Sequence, residues 1–440
     1  MYEGKPCTLF FRFAVPQMIG LLFNSVYTIV DGVFIGHRLG REAMAAAAVA
    51  VPLIEILISV AIAAGSGAGV LIAARLGSGD RDGARRLFNT AAWILALAGG
   101  LVCLMGNLFL EPLARLLGAG PEVLELACGY LWFIVTFAPF QLFSFLLGGM
   151  ARNDSRPKLA MTALIAGAMS NIVLDYLFMY PLNMGIRGAA LATALGPIFS
   201  VVILLPHFLA RRGELYFAPC RPRLSDAGGI LACGTPSFVM EFSIGIVTFL
   251  YNIAVTCWGY GELGLAAYLV IGYLMLIIMT LFLGMAEGLQ PVFSRLSAAG
   301  EENRALTMRR FSAKVFLGVG AVCYGLILLG SRWFFLLFAP ADPELVNFAV
   351  EKSVLYFCGF FLTGFNILMI AYWQAVQQTG RALAAAVLRS VVLPPLLLLV
   401  LPTLLEREII WVCQSAADAL TACCIMFALA HMDRRQRGRP

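Results

Sequence analysis

Twelve apolar stretches, each about 20 residues or longer, leave this 440-residue chain few ways to fold. A run of that length spans the hydrocarbon core of a bilayer as a helix. In lipid no water satisfies the backbone, so the spanning options are helices or a closed barrel. Barrel strands are short and alternate in polarity, and these runs do neither. The chain therefore reads as an all-α polytopic membrane protein. Its spans cover roughly 10–36, 44–74, 87–110, 122–150, 158–181, 187–210, 227–257, 263–292, 311–336, 345–374, 381–402 and 408–430. Composition agrees: 61% of residues are hydrophobic and 13% charged, with a mean hydropathy of +0.87, whereas soluble domains are about a quarter charged.

Charge placement sets an orientation. With a cytoplasmic N-terminus, 23 of the 31 Lys and Arg residues fall on inner segments and 7 on outer ones, with Arg389 inside a span. This bias predicts a multi-pass plasma membrane protein, the inner membrane of a bacterium, with both termini cytoplasmic. It also accounts for the net charge of +6 without nucleic acid as a partner. The first apolar run, from about Leu9, lacks a small-residue cleavage site after it and reads as retained.

The chain repeats itself. Pro16 opens the first span and Pro236 the seventh, 220 residues apart; Arg75-Leu76 with its polar loop recurs at Arg295-Leu296 with the same offset. A polar linker, Arg211 to Asp226, carries Pro219 and Pro222 between the halves. Six spans per half give both halves one orientation, as in a two-lobed transporter with a pseudo-two-fold along the membrane normal. The predicted lobes are 1–218 and 219–440. Pro16 and Pro236 each remove a backbone donor and are candidate hinges.

Little raw material exists for other chemistry. Eleven cysteines lie without CxxC spacing, three histidines lie apart from any Cys or Asp cluster, and no GxxxxGK[ST] loop occurs. The reading is therefore not an enzyme. Seven ionisable residues instead lie within spans: Asp31, Glu55, Asp175, Glu241, Glu287, Arg389 and Asp418. Each costs about 2.5–3.5 kcal/mol or more at mid-membrane unless paired, hydrated or used. Asp31 lies about 28 Å of helix beyond Arg12, Asp175 about 25 Å beyond Lys158, and Thr193 about 9 Å in from Arg187. Asn171 shares a helix face with Asp175. These four can converge in the outer half of the first lobe as an oxygen-rich site that shares a proton or holds a small hard cation such as Na+; a wet vestibule is the alternative. Arg389 and Asp418 suit a structural ion pair. Glu287 is near enough along its helix to snorkel toward or pair with Arg295. Glu55 has no assignment.

In order and spacing, several segments resemble the multidrug and toxic compound extrusion (MATE) family. They are Tyr27 through Asp31 with Phe34-Ile-Gly36, Arg152 through Met161, Asn171 through Asp175, and Gly188 through Thr193. The second half adds Gly284 through Pro291, Arg389 through Pro394 and Ala417-Asp418. The resemblance covers essentially the whole chain. It implies twelve helices in two lobes and export of small, organic-cationic or amphipathic compounds in exchange for H+ or Na+, with no other cofactor. It carries a cation-coupling role onto Asp31, Asn171, Asp175 and Thr193. Glu241 matches a seventh-helix acid of some sodium-coupled relatives, but its accompanying tenth-helix Asp is missing. Glu241 and Gln290 are accordingly candidates for the substrate cavity, with a structural role open for Glu241. Ser155 stands where the family often has glycine. The expected partners are small molecules and the bilayer, with a monomer as the working unit. A lipid-linked oligosaccharide flippase of similar architecture is the nearest rival, although it needs several cavity cations. An intramembrane enzyme or a receptor is the rival from another class.

Overall fold

The computed structural model describes residues 4–218, 223–337 and 342–437. The linker residues Pro219, Arg221 and Pro222, and with them the predicted lobe boundary, lie outside the described residues. Among the described residues eleven helices are long and apolar enough to cross a membrane, and a bent pair, taken as one span, makes a twelfth. In chain order, spans 1 to 6 are Pro6–Leu39, Glu42–Gly77, Arg81–Leu108, Leu124–Asn153, Pro157–Met179 and Ile186–Leu209. Spans 7 to 12 are Leu224–Cys257, Leu263–Ala298, Glu302–Leu336, the bent pair Pro343–Phe357 and Phe360–Ala375, Thr379–Leu404, and Arg407–Ala430.

Short polar turns end the spans by identifiable chemistry. Gly79 and Gly300 take φ of 83° and 75° after spans 2 and 8, the left-handed conformation that closes a helix and that glycine adopts without strain. Asp80 then caps span 3 by accepting the Gly83 N–H at 2.8 Å. That hydrogen bond, with Arg75 beside it, holds the Asp80 carboxyl below the usual carboxylate range. Ser155 and Gln377 are a second related pair, at φ 62° and 60° in the turns after spans 4 and 10. Ser155, at the position where glycine is common in the family, does take the left-handed conformation.

Two spans depart from the continuous helices expected from hydropathy. Span 10 bends by 46° at Cys358-Gly359. Ser415 of span 12 repairs the break, its Oγ accepting from the Gly359 N–H at 2.9 Å and donating to the Tyr356 carbonyl at 2.7 Å. A broken helix survives in lipid only when neighbours restore its hydrogen bonds in this way. Span 11 widens to a π-helix over Leu388–Val392, just before Pro394, whose ring nitrogen has no proton for the carbonyl one turn back.

The apolar core is two clusters, one per lobe, and the ends of spans 1 and 7 are exchanged between them. Leu9, Phe10, Phe13 and Ala14 of span 1 pack in the second-lobe core. Ile230 of span 7 packs in the first-lobe core. The lobes meet through spans 1, 2, 7 and 8 at backbone distance. A Cβ on Gly67 would stand 2.0 Å from the Ile230 carbonyl oxygen, and one on Gly288 would stand 2.4 Å from that of Phe13. Span 2 touches span 7 as span 8 touches span 1, which is the pseudo-two-fold in atomic detail. These contacts lie in the membrane half nearer the termini. Side-chain hydrogen bonds between the lobes reach out as far as Ser25 with Thr280, at 2.7 Å near mid-helix. The lobes are thus joined on the side of the termini.

Candidate functional site

The first lobe brings spans 1, 4, 5 and 6 around a buried acidic pair. Asp175 and Asn171 of span 5 are buried, and Asp31 of span 1 is half-buried. The Asp31 and Asp175 carboxyls face each other as a directly interacting pair. With its amide turned to suit its neighbours, Asn171 donates to Asp175 Oδ2 at 3.1 Å, and its oxygen accepts the Thr193 N–H at 3.1 Å. The structure therefore assembles the four residues singled out from depth. It also commits the Asn171 oxygen to backbone. Three buried oxygens accept no hydrogen bond from the described residues: Asp31 Oδ1, Asp175 Oδ1 and Thr193 Oγ1. Orphaned buried oxygens are rare, and a proton shared between the two carboxyls would satisfy the Asp31–Asp175 contact.

Two aromatic residues, one of them the Tyr27 that opens the first-helix motif, complete the wall. Tyr130 of span 4 is buried beside Thr193 within the field of both carboxyls, and Tyr27 lies one turn before Asp31. The signal for Tyr130 was available: it lies six residues into span 4 from its outer end, the depth of Thr193. Among the described residues, no group of three or more His, Cys, Asp or Glu side chains stands ready to hold a metal ion.

The second lobe answers this open pair with a closed one. Buried Asp418 of span 12 accepts from Arg389 Nε at 2.7 Å, Thr363 Oγ1 at 2.6 Å, Asn366 Nδ2 at 3.2 Å and Gln414 Nε2 at 3.4 Å. Thr363 and Asn366 of span 10 thus serve an acid that comes from span 12, in a span with no interior Asp of its own. Tyr251, 220 residues after Asp31, accepts the Gln414 N–H at 2.8 Å. Where the first lobe holds a second carboxyl, the second lobe therefore holds a neutral phenol and an internal guanidinium.

Between the lobes a cavity is lined by Gln17, Ser66, Arg152, Glu241, Glu287, Gln290 and Gln374, among others. Glu241 lies in it with Glu287; Glu55 is not among the lining residues. Gln290 lines the cavity with its amide committed to Ser66 Oγ at 2.8 Å and Gln374 Oε1 at 3.2 Å. Pro16 and Pro236 lie inside continuous helix. Near Pro236, Gln374 Nε2 donates to the Cys233 carbonyl at 2.8 Å, so a polar side chain covers backbone that the proline disturbs. The expected link between Glu287 and Arg295 is not made. Glu287 instead accepts from Gln17 at 2.8 Å and Arg152 at 3.4 Å, and Arg295 bonds the Asn153 carbonyl and Glu214. Eight residues of helix separate the two by about 12 Å, and each finds a nearer partner across the lobe interface.

Comparison with known proteins agrees with this architecture. The MatE family model matches residues 16–177, the stretch that carries Asp31, Asn171 and Asp175. The chain is similar to the multidrug export protein MepA of Staphylococcus saprophyticus, 25% identical over 388 residues, covering 88% of this chain and 85% of that one. It is likewise similar to MepA of Staphylococcus aureus strain MRSA252, 25% identical over 427 residues, or 95% and 93% of the two chains. Among solved structures it resembles an outward-facing multidrug resistance MATE family transporter of the MOP superfamily. The TM-score is 0.92 at 23% identity, over 99% and 98% of the chains. It also resembles a MOP superfamily transporter from Pyrococcus furiosus described as having a binding pocket of reverse polarity that suggests a different function. There the TM-score is 0.90 at 24% identity, over 100% and 98%. Ordered motifs, twelve spans in two lobes and these matches point the same way: the chain is similar to the multidrug and toxic compound extrusion family, in fold over its whole length and in the family model over residues 16–177.

Proposed function

We propose that the chain is a secondary active exporter of small organic-cationic or amphipathic compounds, driven by inward movement of H+ at the Asp31–Asp175 pair. The observation that carries this reading is the pair itself. Two facing carboxyls in a largely buried lobe cannot both stay ionised without a cation, so the site holds H+ or Na+ in at least one state. Asp31, Asp175 and Thr193 supply unpaired oxygens, whereas the Asn171 oxygen is committed. Hard cations such as Ca2+ gather about six or more oxygens, so the set favours H+ over Na+. The cavity polarity supports a cationic cargo: Glu241 and Glu287 line the cleft with Arg152. The MepA relatives are named as multidrug exporters, which supports the direction of transport.

The inward bias of Lys and Arg supports a plasma membrane orientation with cytoplasmic termini. In that orientation, contact on the terminus side makes the present state outward-facing. The protein works as a monomer, without an enzymatic step or any cofactor beyond the coupling ion. One proton supplies about 2.3 kcal/mol per 100 mV and about 1.4 kcal/mol per pH unit. Exchange of one proton for a monovalent cation moves no net charge. The pH gradient alone then sustains about a tenfold gradient of cargo per unit.

Proteoliposomes loaded with a fluorescent organic cation test the reading under separate pH and sodium gradients. Asp31→Asn should abolish gradient-driven transport while inserting normally, and Asp175→Asn should impair it severely. Full pH-driven transport by Asp31→Asn would remove the site. Sodium-driven transport that persists after the pH gradient and potential are collapsed would keep the site and change the ion.

A further inference from the structure

Two clusters on the floor of the cavity are related by the pseudo-two-fold, and only one of them is charged. In the first, Gln17 of span 1 and Arg152 at the end of span 4 donate to Glu287 Oε2 of span 8, at 2.8 and 3.4 Å. In the second, Ser237 of span 7 and Gln374 at the end of span 10 donate to Ser66 Oγ of span 2, each at 3.0 Å. The positions correspond at offsets of 220 for Gln17 and Ser237, 222 for Arg152 and Gln374, and 221 for Ser66 and Glu287. In each cluster donors on one lobe hold one acceptor on the other, and Ser66 Oγ takes a third from Gln290 Nε2 of span 8 at 2.8 Å. When the lobes part on this side, Ser66 loses neutral partners, whereas Glu287 loses its counter-cation and its amide donor together.

A carboxylate stripped of both partners at that depth costs several kcal/mol unless another cation arrives. The state that parts the floor is the state that admits cargo from the side of the termini. Glu287 also faces the cavity already, with its side chain 26% exposed against 15% for Arg152. We propose that Glu287 is the acid that receives the charge of an organic cation in that state, and that Arg152 is its built-in competitor. As the floor closes, the guanidinium returns to Glu287, the cargo loses its counter-ion, and it leaves through the open side. The inference rests on the exporter reading above and adds the residue pair that couples closure to release. Arg152 acts through Glu287 and is a positioning residue.

The test uses the full-length protein in proteoliposomes with ethidium as cargo and a fixed pH gradient. Arg152→Gln should lower KM for ethidium severalfold and lower kcat at least tenfold, because the cargo binds without a rival and is no longer displaced. Arg152→Lys should restore most of kcat. Glu287→Gln should raise KM at least tenfold, a loss of about 1.4 kcal/mol of binding. Ethidium binding to the purified Glu287→Gln protein should weaken alike, which checks the assignment without turnover. A purely structural latch predicts the opposite split, with ethidium affinity unchanged in both variants. That result, or a Glu287→Gln protein that binds ethidium as the parent does, would overturn the contest while leaving the exporter reading intact. A parent protein that moves no organic cation under either gradient would overturn both.

Discussion

Replacing Asp418 by asparagine removes the charge that the structure sets against Arg389 within the second-lobe core. Asp418 is fully buried and the Arg389 side chain is 6% exposed, so neither can turn to water. Of the four donors on Asp418, the Thr363 hydroxyl can rotate to accept, and the amides of Asn366 and Gln414 can turn their oxygens inward. The guanidinium has no acceptor form. Leaving one partner of a buried pair uncompensated costs about 3–5 kcal/mol. If a lobe of roughly 200 residues unfolds as a unit, each kcal/mol moves Tm by about 2–4 °C, so the expected fall is about 6–20 °C. Thermal unfolding of the purified protein in detergent, at one fixed scan rate, measures it. Arg389→Met should cost a similar amount through the stranded carboxylate. The double variant Arg389→Met with Asp418→Leu should recover most of the loss, since apolar replacement of a buried pair is often neutral. An Asp418→Asn protein that melts within about 2 °C of the parent would refute the reasoning. Combined with altered transport, that result would move Asp418 from scaffold to cavity.

Two further outcomes follow from the lobe interface. Gly67→Val places side-chain atoms where even a Cβ would stand 2.0 Å from the Ile230 carbonyl; the lobes should fail to close on the terminus side, with reduced transport and raised labelling of a cysteine placed at Ser294. Unchanged labelling would show that the floor is not sealed at Gly67. Pro16→Ala restores a backbone donor to a span that carries both the lobe contact and Asp31, so turnover should fall with Tm and cargo binding nearly unchanged. Unaltered turnover would remove Pro16 from the mechanism.

Much of this protein was legible without coordinates, and the reason is the bilayer. Because lipid satisfies no backbone group, each apolar run had to be a helix, and a helix turns residue number into depth at about 1.5 Å per residue. That conversion brought Asp31, Asn171, Asp175 and Thr193 to one level before any contact was known, and the 220-residue offset paired Pro16 with Pro236. Depth says nothing about azimuth or about which spans are neighbours. It therefore did not show that Glu287 turns to Arg152 on the other lobe and not along its own helix to Arg295. Nor did it show that Thr363 and Asn366 serve an acid on span 12, or that Ser415 mends the break in span 10. Those pairings depend on how spans far apart in sequence pack side by side. Buried polar groups then bond to whatever donor that packing brings within about 3 Å, and the packing, not the local sequence, chose each partner.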